Sequence, residues 1–170
     1  MSFSNKIIIG FPIYLRATTV IAFCLFIFIS VAQAETPYDI TECHSGTVKF
    51  LHSSEESKIF SAEGWGIIMS NHENKVFNNF TLHIFAIGQV MPGKTIETGY
   101  VKLMDPDGDI IVADFSHVGP ERVSKLLYGT GKWKGITGGH KGSGLIVYGR
   151  IPPNAAAACS RSTGTFELPK

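Results

Sequence analysis

The stretch from Tyr128 to Gly139 reads YGTGKWKGITGG and holds five glycines in twelve residues. Glycine this dense is typical either of a loop that cradles a phosphate or of β-structure that bends sharply. The stretch lacks the Lys-Ser/Thr pair of a P-loop and the GxGxxG order of a dinucleotide site. We therefore interpret it as a bent strand running into a turn, with Gly129, Gly131 and Gly135 turning a corner of a small barrel.

The sequence beyond about residue 40 is typical of β-structure almost throughout. Segments rich in Val, Ile, Phe, Thr and Tyr alternate with short turn sequences that carry Gly, Pro, Asn, Asp or Ser. The pattern predicts eight strands, at about 44–53, 58–70, 75–91, 96–104, 109–118, 124–134, 142–151 and 159–168. Because an open sheet of this size would leave two unpaired edges, we predict an all-β fold, an eight-stranded antiparallel β-barrel, with a β-sandwich as the alternative.

The N-terminal segment does not belong to this pattern. Lys6 and Arg16 precede an apolar run over about 17–31, which ends in Ala32-Gln33-Ala34. A positive region, an apolar region and a small-x-small ending indicate a secretory signal peptide, cleaved after Ala34. The alternative is an uncleaved membrane anchor, since the run approaches the length of a span.

The charge of the remaining domain excludes one class of partner. Without the signal peptide at 1–34, the predicted barrel domain at 35–170 carries 13 Lys+Arg against 14 Asp+Glu, and its lysines are scattered. Nucleic acid binding needs a concentrated positive face, so we do not expect it. The expected location is secreted or periplasmic.

Two cysteines remain in this domain, Cys43 near its start and Cys159 near its end. In an exported protein an even number of cysteines suggests a disulfide, here one that ties the first strand to the last. The alternative is a pair of buried free thiols.

The C-terminal sequence resembles a known family. GTGKWKGITG is preceded by the strand GDIIVADFSH and followed by the glycine-spaced strand GSGLIVYGRI and a last strand ending in TGTFEL. Over roughly 109–168 this is similar to the allene oxide cyclase-like barrels, a superfamily that includes the dirigent proteins. The resemblance implies an eight-stranded barrel, often oligomeric, that holds an apolar small molecule. Known relatives cyclise an unsaturated fatty-acid epoxide or guide phenolic radical coupling, but their catalytic residues do not map onto this sequence.

Three functions fit these observations, and the sequence leaves open whether the chain is an enzyme. The first is an exported barrel that binds a small apolar or aromatic molecule. The second is a cyclase or isomerase that uses the same pocket. The third is a barrel filled by its own side chains that works through its outer surface, for instance as a homo-oligomer. An open cavity on the order of 300 Å³ or more would favour the first two, and a buried carboxylate, His or Tyr in it would favour the enzyme. No cofactor is expected.

The predicted strand at 75–91 supplies the first candidate site residue. One face carries Phe77, Asn79, Thr81, His83, Phe85 and Ile87, and the other carries Val76, Asn78, Phe80, Leu82, Ile84 and Ala86. Simple patterning sends the second, more apolar face to the core. A ligand-binding barrel can invert this, because its outer wall can pack on a partner subunit while polar groups orient the ligand inside. We therefore predict that His83, Tyr100 and His117 face the lumen and bind the ligand.

Metal-binding and catalytic motifs are weak. The sequence DPDGD at 105–109 places carboxylates at alternate positions, but its Gly108 does not stand where an EF-hand loop requires glycine. We predict a hairpin turn there, with a surface cation site as the alternative. No two of the six histidines stand two or four residues apart, so no metal site is predicted. Asp114 and His117 lie on opposite faces of their strand and cannot form an acid–base pair.

Overall fold

The computed structural model of the protein describes residues 34–148 and 155–169. These residues form eight antiparallel strands that pair in chain order, and the last strand pairs with the first to close a barrel. The strands are β1 (Thr36–Ser53), β2 (Lys58–Ser70), β3 (Phe80–Met91), β4 (Lys94–Met104), β5 (Ile110–Val118), β6 (Glu121–Gly129), β7 (Thr137–Tyr148) and β8 (Ala155–Glu167). The predicted all-β barrel is confirmed, and the alternative β-sandwich is wrong. The predicted signal peptide lies outside the described residues except for Ala34.

Helical structure in the described residues is confined to one 3₁₀ turn, Gly131–Trp133. Within 34–148 and 155–169 there is thus no helix with the length and apolar character that crossing a membrane requires.

Strand β1 is longer than the predicted 44–53 because its two neighbouring strands pair with different parts of it. Residues 36–47 pair with β8, whereas 40–53 pair with β2. A closed barrel requires such a stagger between neighbouring strands. The boundaries predicted for β2 agree with the structure.

The predicted strand at 75–91 begins late, at Phe80. Lys75, Phe77 and Asn79 adopt left-handed backbone conformations, with φ of 53°, 61° and 63°. This turns Phe77 into one end of the barrel, where it is 3% exposed and lies 5.4 Å, centroid to centroid, from both Phe80 and Trp133. A non-glycine residue in this region costs about 1–3 kcal/mol, and we attribute its persistence to burial of the aromatic ring.

The glycine-rich stretch is not the bent strand that we predicted. Strand β6 ends at Gly129, the 3₁₀ turn Gly131–Trp133 follows, and β7 starts only at Thr137. Gly131 and Gly135 have φ of 48° and 79°, conformations that favour glycine. The turn buries the Trp133 side chain, which helps to close this end of the barrel.

The DPDGD sequence forms the predicted hairpin turn, between β4 and β5. The backbone N–H groups of Asp107 and Asp109 donate to Oδ1 of the buried Asp105, at 2.8 and 3.0 Å. Its Oδ2 accepts from Trp133 Nε1 at 2.9 Å and lies 2.8 Å from Lys132 Nζ. Burial raises the pKa of Asp105, but hydrogen bonds from Lys132 and Trp133 outweigh this and lower the pKa to about 2. The ammonium of Lys132 thus pairs with two of the three carboxylates of the alternative cation site, Asp105 and Asp107.

The predicted disulfide joins Cys43 to Cys159. The two residues are register partners on β1 and β8, with Cα atoms 4.1 Å apart. The bond therefore crosses the seam where the first and last strands meet, and it closes a loop with a sequence separation of 116 residues.

The barrel interior has two halves, which we call the closed half and the open half. The closed half is filled by large side chains, including those of Tyr38, Ile40, Ile68, Phe77, Phe80, Leu82, Leu103, Ile111, Leu126, Trp133, Ile136 and Phe166. In the open half many inward positions are small, namely Gly46, Ala62, Gly64, Ala86, Gly142, Ala156 and Ala158. This contrast in side-chain size determines where the interior is empty.

Candidate functional site

The open half of the barrel encloses a cavity of about 570 Å³, which we call the lumen. Aromatic and aliphatic side chains contribute most of its wall, among them Phe50, Phe60, Ile84, Val90 and Phe115. The volume lies within the range of small-molecule sites and exceeds the 300 Å³ at which a ligand-holding barrel is favoured. The open half of the interior is therefore not filled by its own side chains.

A buried ion pair lies beside the lumen, and its Arg122 side chain is part of the wall. Arg122 Nη1 of β6 is 2.6 Å from Oε1 of Glu42 on β1, and it donates to Oγ of Ser160 on β8 at 2.8 Å. The Ser160 hydroxyl donates in turn to the same Glu42 oxygen at 2.9 Å. Glu42 and Ser160 are almost fully buried. Loss of one partner from such a pair leaves an uncompensated buried charge and is strongly destabilising.

Two histidines and a second carboxylate also line the lumen. Burial lowers the pKa of His44, so its imidazole is neutral at pH 7 and can accept a proton. His44, Glu97 and Arg122 all line the lumen. His117 Nδ1 lies 3.6 Å from Glu97 Oε2, and both side chains are about a quarter exposed.

A second polar pair is buried deeper, beside the aromatic residues of the closed half. The Tyr38 hydroxyl lies 3.2 Å from Nδ1 of His140. Burial lowers the pKa of His140 to about 4 and, together with the charge on Glu42, raises that of Tyr38. Both groups are therefore neutral at pH 7. We call this pair, Tyr38 and His140, the polar floor, because it lies deeper in the barrel than Glu42.

The three residues predicted to bind the ligand do not share one wall. His117 faces the lumen. His83 lies on the outer wall, where it stacks on Trp65 with ring centroids 4.9 Å apart and has its Nε2 2.9 Å from Glu63 Oε1. Tyr100 is also on the outer wall and 61% exposed. The predicted inversion of the β3 faces is wrong, because the apolar set from Phe80 to Ala86 packs in the core as simple patterning requires.

Tyr100 instead lines a shallow groove of about 670 Å³ that crosses the outer faces of β1 to β6. Phe85, Ile87 and Val123 are exposed along it. This outer groove carries no buried charge pair, whereas the lumen lies inside the barrel and is lined by ionisable groups, among them His44, Glu97 and Arg122. We therefore take the lumen as the candidate site.

Sequence reasoning missed the two residues at the centre of the site, Glu42 and Arg122. One signal was available, since Glu42 and His44 stand two residues apart in TECHSG and so share a face of β1. Nothing in the segment PERVS reveals that Arg122 points inward, because its partners belong to strands far away in the chain. Among the described residues no group of three or more His, Cys, Asp or Glu side chains could hold a metal ion.

Comparison with known proteins finds similarity at the level of the fold. Two solved structures are similar, the pterocarpan synthase dirigent proteins PsPTS1 and GePTS1, with TM-scores of 0.47 and 0.45 and 8% sequence identity in each case. The matches cover 81% of this chain, and 97% and 93% of those proteins. At this identity the likeness says nothing about the chemistry of the lumen.

No protein-family model matches the chain. No curated protein matches it in sequence either.

Proposed function

We propose that this protein is an exported β-barrel that binds a small, mainly apolar molecule in its lumen. The observation that carries the proposal is the open cavity of about 570 Å³, whose wall is mostly apolar but includes a few oriented polar groups. Binding sites for small molecules combine these two features.

Binding of the neutral fluorophore N-phenyl-1-naphthylamine tests this proposal. We expect saturable binding with one molecule per barrel. The substitution Ala62→Phe, which fills the lumen, should weaken binding by at least about tenfold, since it removes the space that the ring occupies. Tyr100→Ala in the outer groove is the matched control and should leave the affinity unchanged. The reverse pattern would assign binding to the outer groove and overturn the proposal.

A cyclase or isomerase is the second candidate, and His44 favours it. A neutral, desolvated imidazole beside a buried carboxylate–guanidinium pair can remove and return a proton in a site with little water. Hydrogen–deuterium exchange of the acetyl protons of 2-acetylnaphthalene in D₂O measures such proton transfer by NMR. Exchange that His44→Phe abolishes, with ketone binding retained, would identify the proton-transfer group. Exchange no faster than in buffer would leave binding alone as the function.

The outer face of β2 to β4 supports the expected homo-oligomer. Trp65, Ile67, Phe85, Ile87 and Tyr100 are each at least half exposed on this face. Lys49, Glu63, Asp114 and Lys125 lie along the adjoining groove. Charges of both signs beside an apolar centre make a surface complementary to itself, and we propose that a second copy of the chain covers it. Light scattering should show an oligomer that the double substitution Trp65→Ser/Phe85→Ser converts to a monomer. A monomeric native protein would contradict this part of the proposal.

Export is supported by the disulfide, because such bonds persist in oxidising compartments. We propose cleavage after Ala34 and a secreted or periplasmic location. N-terminal sequencing of the protein recovered from its final compartment should begin at Glu35. A mature chain that retains the apolar segment would instead establish the membrane-anchor alternative.

A further inference from the structure

Arg122 has hydrogen-bonding capacity beyond the ion pair. All the hydrogen bonds that it makes with described residues go through Nη1, to Glu42 and Ser160. A guanidinium has five N–H donors, so those on Nε and Nη2 are left over. The side chain is 16% exposed and borders the lumen, with Cζ 5.3 Å from the centroid of the Phe115 ring. A molecule lying against Phe115 would therefore bring an acceptor atom within reach of these donors.

The charges around the lumen restrict what that acceptor can be. Glu42 already neutralises Arg122 at a distance of 2.6 Å. Glu97 adds a second carboxylate to the wall, opposite His117. The lumen is thus bordered by two carboxylates, Glu42 and Glu97, and one guanidinium, Arg122. An anionic ligand would have to lose its hydration and approach two carboxylates, while the one guanidinium is already paired, whereas a neutral oxygen acceptor meets neither penalty.

We infer that the lumen takes an uncharged, mainly aromatic or apolar molecule with a carbonyl-type oxygen that accepts a hydrogen bond from Arg122. The inference rests on the proposed function and defines its ligand class. Phe50, Phe60 and Phe115 contact the apolar body of the ligand, while Arg122 donates a hydrogen bond to its oxygen. The carboxylates of Glu42 and Glu97 disfavour ligands of the same shape that carry a carboxylate.

Three naphthalenes of matched shape test the inference by calorimetry or fluorescence: 2-acetylnaphthalene, 2-naphthoate and 2-ethylnaphthalene. We expect the ketone to bind at least about tenfold more tightly than either of the others, because only it offers a neutral acceptor to a charged donor. Ala62→Phe should weaken binding of all three.

Variants at the ion pair locate the selectivity. The single substitution Arg122→Met would leave Glu42 buried and unpaired, so the test uses Glu42→Leu/Arg122→Met, in which both charges are replaced by apolar groups of similar size. The preference for the ketone over 2-ethylnaphthalene should fall to within about twofold, since the charge-assisted hydrogen bond is gone. Arg122→Lys keeps Glu42 paired but removes the planar guanidinium, and it should reduce the preference at least about threefold.

The outcomes separate this inference from the proposed function. Tighter binding of 2-naphthoate, or equal binding of all three probes, overturns the ligand class and leaves the binding barrel intact. Selectivity that survives in both ion-pair variants also overturns it. If no probe binds in a manner sensitive to Ala62→Phe, the proposed function itself fails.

Discussion

The closed and open halves of the barrel are built from the same eight strands and the same inward–outward alternation, yet one is solid and the other hollow. In the closed half, Phe77 and Trp133 arrive from outside the strands and fill the end of the barrel. In the open half many of the inward residues are alanine and glycine, and ionisable groups border the space that they leave. Patterning alone therefore specifies the barrel, while side-chain size specifies the site.

Truncation of a large aromatic side chain in each half should give the largest difference. Trp133→Ala removes a ring that packs on Phe77 and Phe80, and also a hydrogen bond to Asp105. We expect a loss of about 4 kcal/mol in the free energy of unfolding, as for other buried aromatic residues. Phe50→Ala at the open mouth, where Phe50 is 50% exposed, should cost less than about 1 kcal/mol. Urea denaturation measures both, and equal losses would show that the two halves are equally packed.

Acid should lower the free energy of unfolding through His140, one of the two residues of the polar floor. The pKa of His140 is about 4 in the folded protein, because burial disfavours the imidazolium, and about 6.5 in an unfolded chain. The unfolded state therefore binds the proton first, so the contribution of His140 is complete above pH 6.5 and is lost as the pH falls towards 4. The total loss amounts to about 3 kcal/mol.

His140→Gln tests this account, because glutamine keeps a polar side chain but does not titrate. Denaturation curves between pH 7 and 4 should show a smaller decrease in stability for the variant. A small decrease should remain, since the pKa of His44 is also lowered by burial. A variant that loses stability as steeply as the native protein would show that other groups determine the acid sensitivity.

The glycine-rich turn that supports the closed half should tolerate substitution poorly. At Gly131, with φ of 48°, an added Cβ would clash with the carboxylate of Asp109. Gly93 has φ of 73° but no atom within 4 Å of an added Cβ, so it isolates the backbone penalty. We expect Gly93→Val to cost about 1–2 kcal/mol and Gly131→Val about 1 kcal/mol more. Equal melting temperatures for the two variants would show that a clash with Asp109 contributes nothing to the loss of stability.

The sequence predicted the fold better than the site, for physical reasons. Period-two patterning is local, so β2 was predicted with its observed boundaries and the disulfide followed from barrel closure. KVFNNF contains Val and Phe, which are common in strands, and nothing local indicates that Phe77 enters the barrel with positive φ. Glu42 and Arg122 are charged residues, and the burial of each depends on pairing with the other. They lie on different strands and 80 positions apart in the sequence, so no local pattern reveals the pair. We predicted that His83 faces the lumen because a polar residue in an apolar strand suggested a functional role. In the structure its ring stacks on Trp65 and its Nε2 lies within hydrogen-bond distance of Glu63, on the outer wall.

The smallest effect, and the sharpest comparison of the halves, should come from adding the same side chain to each. Ala113 and Ala62 both point inward, but Ala113 is 1% exposed between the buried Val101 and Leu126, whereas Ala62 borders the lumen. Ala113→Phe must displace packed neighbours and should destabilise the protein by about 1–3 kcal/mol. Ala62→Phe extends into empty space, so its change in stability should stay within about 1 kcal/mol. Thermal denaturation compares the two variants directly, and a loss at Ala62 as large as that at Ala113 would mean that the lumen is too narrow to admit a ring.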